Sequence, residues 1–165
     1  MIHSINGKFR FDRAWPGATR ATIGLLAVSL FGADPTKVFT SGEIMKRLAA
    51  SKPQAHQVYG SSLEAGHGFR LSANKREASG IPELHQKVDD IFVIESGEAT
   101  LITGGTIVGP KTTAADEVRG QSIQGGTKRT VATGDFVHIP ANTPHQFLVE
   151  DGKQITYAVV KVDVR

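Results

Sequence analysis

An all-β fold, a small barrel or sandwich carrying one short helix, is what this sequence of 165 residues predicts. Two observations carry the prediction. Apolar residues recur in short alternating runs separated by turn chemistry, and the chain holds 18 glycines and 7 prolines with only 7% aromatic residues. A single stretch combines a helix-start signal with helical spacing. A succession of short strands joined by Gly-rich turns is the pattern of a closed or stacked β architecture.

The chain opens with a basic segment through Arg20, followed by the apolar run Ala21–Ala33 and then Asp34-Pro35. This reads as a secretory signal peptide over 1–33, which places the protein in the periplasm or outside the cell. The run is too short for a convincing membrane span. The alternative is a cytoplasmic protein with an N-terminal helix. Residues 34–57 form a lead-in segment: Thr40 stands three before Glu43, a capping-box spacing, and Ile44, Met45 and Leu48 follow. A short helix to about Ser51, ended by Pro53 and packed outside the barrel, is expected.

The barrel is expected over 58–165. Residues 55–60 and 63–74 read as two strands, with Leu63, Ala65, His67, Phe69 and Leu71 on one face. The densest chemistry follows in IPELHQKVDDIFVIESG, Ile81–Gly97. Pro82 biases Ile81 toward extended backbone, and Glu83 and His85, two apart, leave the same face of a strand. Asp89 and Asp90 precede the run Ile91–Ile94. Glu95-Ser96-Gly97 reads as a hairpin turn with Glu98–Thr103 as the return strand. Residues 111–127 hold few apolar anchors and read as a long loop over the barrel mouth.

The second cluster, GDFVHIPANTPHQF, spans Gly134–Phe147: a tight turn, a strand at Phe136–Ile139, a Pro/Asn turn, and His145 opening the next strand. Asp151-Gly152 signals a hairpin. Gln154–Val162 closes the fold, with Ile155, Tyr157 and Val159 facing away from Ala158, Val160 and Val162. Together the two clusters point to a metal held inside a small β-barrel.

At these residues the sequence resembles the cupin superfamily, in its small, single-domain, conserved-barrel type. The family's first motif is written G-x5-H-x-H-x3–4-E-x6-G and its second G-x5-P-x-G-x2-H-x3-N. This chain has Glu83-x-His85-x4-Asp90-x6-Gly97, then Gly134-x5-Pro140-x-Asn142-x2-His145. The resemblance implies a double-stranded β-helix, or jelly-roll barrel, with Glu83, His85, Asp90 and His145 as metal ligands. Two carboxylates stand where the family has a histidine and a glutamate. Asn142 replaces a glycine, a change that left-handed turn geometry tolerates.

Two histidines and two carboxylates suit one divalent ion, Mn²⁺, Fe²⁺ or Zn²⁺, with Ni²⁺ also admitted. Two carboxylates would cancel its charge, so an anionic substrate would gain little from it. His138 and His67 are the candidates for moving a proton. Arg76, Arg119 and Gln121 are candidate substrate contacts, and Phe92, Ile94, Phe136 and Phe147 candidate pocket wall. The implied function is a metal-dependent oxygenase, lyase or isomerase acting on a small organic molecule. The alternative is a non-catalytic ligand-binding or storage-like barrel.

Composition excludes other classes. Zero cysteines rule out disulfides, thiolate ligands and a cysteine nucleophile. The formal charge of +3 resides wholly in residues 1–33, and the remainder balances 15 basic against 15 acidic residues. Such a body lacks the electrostatic footprint of a nucleic-acid binder. The glycine pairs at 104–105 and 125–126 lie outside any phosphate-loop pattern. Edge strands of a small barrel invite pairing, so homodimerisation is an expectation.

Overall fold

A computed structural model describes residues 35–164. The leader expected over 1–33, and the export it implies, lie outside the described residues. Helix α1 (Ser41–Ala50) begins as the spacing predicts. Thr40 Oγ1 accepts from the Glu43 backbone N–H at 3.3 Å, and the Glu43 carboxylate accepts from the Thr40 N–H at 3.1 Å. The helix lies against the first hairpin and buries Leu48. Among the described residues, no helix is long and apolar enough to cross a membrane.

The strands, in chain order, are β1 (Val58–Gly66), β2 (Phe69–Arg76), β3 (Glu83–His85), β4 (Val88–Thr103), β5 (Thr106–Val108), β6 (Lys111–Ala114), β7 (Glu117–Arg119), β8 (Ser122–Gln124), β9 (Thr127–Ala132), β10 (Phe136–Ile139), β11 (His145–Leu148) and β12 (Ile155–Asp163). They form a mostly antiparallel, cupin-like half-barrel. Hydrogen bonding runs in the order β1-β2-β12-β4-β11-β3-β7-β6, with β9 and β10 also paired to β4 and a separate β5-β8 pair.

Four expectations change. Residues 55–57 form a 3-10 turn, not strand, and the run drawn over 63–74 breaks at His67-Gly68, the tip of the β1–β2 hairpin. Glu95-Ser96-Gly97 is not a hairpin turn. β4 continues through it, pairing with β12 and β10 before the bend and with β11 and β9 after it. Gly97 adopts φ +80, so the chain bends out of one sheet into the next without reversing. Gly134-Asp135 belongs to the tight turn expected there, with the Asp135 N–H donating to the Ala132 carbonyl at 2.9 Å. The Thr133 N–H donates to the Gly97 carbonyl and the Gly134 N–H to the Ile94 carbonyl, so β9 and β10 track β4 around its corner. Residues 111–127 carry β6, β7 and β8 instead of one loop. Strands of three or four residues are too short to leave an alternation signal.

The core lies between the two halves of the barrel. Phe92, Ile94, Leu101, Phe147, Ile155 and Tyr157 are among its buried members. Phe92 meets Phe147 and Tyr157 edge-on, with centroids 5.2 and 5.3 Å away, and Phe147 stacks on Tyr157 at 5.4 Å. Each such pair contributes about 0.5–1.5 kcal/mol beyond its buried area. Of the four candidate wall residues, only Phe92 lines the cavity beside Glu83 and His85; Ile94 and Phe147 lie in the core, and Phe136 is 69% exposed.

A Cβ at Gly97 would overlap the Gln154 carbonyl oxygen, in a conformation that L-residues avoid. Gly97→Ala should therefore destabilise the fold by at least about 2 kcal/mol in a urea unfolding titration.

Candidate metal centre

Strand register assembles the centre from two directions. On one side His145 of β11 stands opposite Glu83 of β3, which stands opposite Arg119 of β7, while His85 faces Glu117. On the other side Asp90 of β4 pairs with Lys161 of β12. Because strand side chains alternate, Asp89 points the other way. Its carboxylate accepts from the Ala141 N–H at 2.8 Å and lies 3.1 Å from His138 Nε2. The Ala141 N–H, then His138, hold the Asp89 carboxyl below its usual range.

β3 has only three residues, so its surroundings position it. Pro82 is buried, and its carbonyl accepts from the Gly120 N–H. The His85 carbonyl accepts from the Asn142 N–H at 2.8 Å, and the Gln86 carbonyl from the Asn142 side chain at 3.1 Å. Asn142 has φ 62, the left-handed geometry expected at that turn.

Glu83, His85 and His145 bring one ligand atom each to within 4.8 Å of one another, a cluster of metal-binding composition. Asp90 closes on the same point: its Oδ2 lies 3.5 Å from His85 Nε2 and 3.4 Å from His145 Nε2. Glu83 Oε1 is 3.5 Å from His145 Nε2. Asp90 and His145 are each 1% exposed and His85 8%. His145 Nδ1 lies 3.0 Å from the Thr143 carbonyl, an acceptor that keeps the proton on Nδ1 and leaves the Nε2 lone pair facing the cluster.

Of these groups, Glu83 and His85 line a cavity of about 500 Å³ together with Arg76, Glu117, Arg119 and Lys161. Lys161, which the sequence reading overlooked, donates to Asp90 Oδ1 at 2.7 Å and lies 2.8 Å from His85 Nε2. Its signal was available. It continues the inward parity of Ile155, Tyr157 and Val159, and a charge in that series has to meet something polar inside. Arg76 and Arg119 line the cavity as expected, though from strands; Gln121 is exposed and does not. His138 and His67 also stand apart from the cavity, exposed on β10 and in the β1–β2 turn. Among the described histidines outside the cluster, only His56 lines it, at φ 58 in the 3-10 turn; nothing in its local sequence pattern marked it.

Burial works against ionisation of Glu83, but its neighbours outweigh it and hold the carboxyl well below its usual range: His145 when its ring is protonated, then Lys161 and Arg119. Burial, reinforced by Lys161 and opposed by Asp90 and Glu83, pushes His85 down and keeps it neutral. Burial also opposes the Glu117 charge, yet Arg119 and Thr113 hold that carboxyl low.

No family model matches the sequence, and no curated protein is significantly similar to it. Solved structures are similar in fold. A Cupin 2 conserved barrel domain protein from Salinispora arenicola is 16% identical, with a TM-score of 0.50 over 79% of this chain and 91% of its own. A protein with a double-stranded beta-helix domain from Klebsiella pneumoniae is 12% identical, with a TM-score of 0.54 over 78% and 90%. The TT1209 protein of Thermus thermophilus is 14% identical, with a TM-score of 0.51 over 73% and 95%. At these identities the likeness shows the fold.

The depressed Glu83 value sets the sign of one pH effect. Its stabilising contribution is present above the ordinary carboxylate value of 4.5 and is lost as pH falls below that, through the lower folded value. In metal-free protein, wild type should melt above Glu83→Gln at pH 7, and the gap should narrow steadily below about pH 4.5.

Proposed function

We propose that this barrel binds one divalent metal through Glu83, His85, His145 and Asp90, and uses it as an enzyme on a small organic molecule. The observation that carries the reading is a pair of buried atoms, Asp90 Oδ2 and His145 Nε2, which have no hydrogen-bond partner although a buried polar atom ordinarily finds one. They lie 3.4 Å apart beside Glu83 and His85. A cation coordinated by all four would satisfy both atoms. Nitrogen and carboxylate donors in this number fit Mn²⁺, Fe²⁺ or Zn²⁺, with Ni²⁺ also admitted.

When bound, such an ion supplies Lewis acidity or, as iron, redox chemistry toward a substrate in the cavity. The chain supplies the rest. Arg119 lies 3.0 Å from Glu83 and pairs with Glu117, keeping both carboxylates ionised and oriented. The Thr143 carbonyl keeps His145 in the ligating tautomer. Phe92 packs edge-on against the His145 ring at 6.4 Å, closing the floor to water. His56 lines the cavity and is the imidazole placed to hold or move a proton at a bound substrate.

Equilibrium dialysis against Mn²⁺ and Zn²⁺ tests the reading. Wild type should take up one equivalent, and His145→Ala should bind at least about tenfold more weakly. Unchanged affinity in that variant overturns the ligand assignment. Elemental analysis of protein purified without added metal then separates oxygenase chemistry, for iron, from lyase or isomerase chemistry, for manganese or zinc.

A further inference from the structure

The charge balance of the cavity bears on what it binds. Three carboxylates, Glu83, Asp90 and Glu117, face three cations, Arg76, Arg119 and Lys161, and these six formal charges balance before any metal arrives. A divalent ion would leave two positive charges in a partly enclosed cavity, where they are costly unless an anion joins them. This reverses the expectation that the two ligand carboxylates would cancel the ion and leave little for an anionic substrate.

Two of the cations have capacity to meet an anion. Arg76 is largely buried and donates through Nε to the Tyr157 hydroxyl at 2.8 Å, but its Nη2 lies 3.9 Å from Glu83, beyond hydrogen-bond range. The residue lines the cavity, and among the described residues no acceptor lies within hydrogen-bond range of its Nη atoms. Lys161 divides its ammonium between Asp90 Oδ1 and His85 Nε2. The His85 nitrogen is the atom a metal would take, whereas Asp90 can keep Oδ1 on Lys161 and offer Oδ2 to the metal. Metal binding would thus release one ammonium donor beside the cavity and leave the side chain anchored.

We propose that the ligand of this cavity is a small organic anion whose carboxylate or phosphate group sits between Arg76 and Lys161, and that metal binding switches this site on by freeing Lys161 from His85. The proposal rests on the metal-binding reading above and adds the substrate class to it. Lys161 is assigned two opposed effects: it competes with the metal for the centre and it binds the anion.

Those opposed signs are the test. Equilibrium dialysis would follow malonate and glycerol 1-phosphate, with neutral malonamide and glycerol as counterparts, on Mn²⁺-loaded and metal-free protein, with Mn²⁺ counted in the same chambers. At least one anion should bind tenfold or more tightly to the loaded protein, and neither neutral compound should. Lys161→Met should lose at least tenfold in anion affinity and bind Mn²⁺ at least as tightly as wild type; Lys161→Gln serves if the Met variant does not fold. Arg76→Met should weaken the anion alone. Equal binding of neutral and charged probes, no gain on metal loading, or a Lys161 variant that weakens metal and anion together would overturn the proposal while leaving metal binding intact. Failure of wild type to bind Mn²⁺ or Zn²⁺ would remove the metal reading and this inference with it.

Discussion

The left-handed backbone at Gly97 lets β4 be a single strand with two sets of neighbours, and the geometry of the centre depends on that continuity. The first half of β4 carries Asp90 and is bonded to β12, which brings Lys161. The second half is bonded to β11, which brings His145 and, through it, Glu83 on β3. Two groups of side chains from different sheets meet within 3.5 Å because the strand joining them bends once and keeps its ladder on both sides of the bend. The β9–β10 turn follows the same corner, so the backbone groups around it are hydrogen-bonded.

Burying so many ionisable groups is tolerable only because each faces an opposite charge or a hydrogen-bonding partner. Asp90, 1% exposed, would be untenable as a bare carboxylate, and its ion pair with Lys161 answers that. Glu83 is answered by Arg119, and Arg119 in turn by Glu117. The aromatic group of Phe92, Phe147 and Tyr157 forms the apolar ground beneath. It excludes water and strengthens every charge interaction above it.

The parts of this arrangement written locally in the sequence were legible. The capping box needs only Thr40 and Glu43, and Glu83 and His85 sit at a spacing that a short strand converts directly into a shared face. What failed to show was decided by tertiary pairing. Glu95-Ser96-Gly97 has the composition of a turn, and only the ladders on either side make it a bend. Residues 117–119 become strand because β3 and β6 are there to pair with them. His67 shares parity with Phe69 and Leu71 in the sequence but falls at a hairpin tip, where that alternation no longer maps onto a sheet face. Lys161 is the instructive omission: its face was readable from the alternation of the last strand, but its partners were not.

The brevity of β3 has a consequence for how this chain can vary. Glu83 and His85 reach the centre on one parity of a three-residue strand, with Leu84 between them on the other. A shift of one position would exchange two hydrogen-bonding, ligand-type side chains for a leucine while the large ladder between β4 and β12 stayed intact. Insertions or deletions near residues 81–87 therefore act on chemistry before they act on folding. Descendants of this sequence could lose the centre through a single-codon indel and still persist as well-formed barrels.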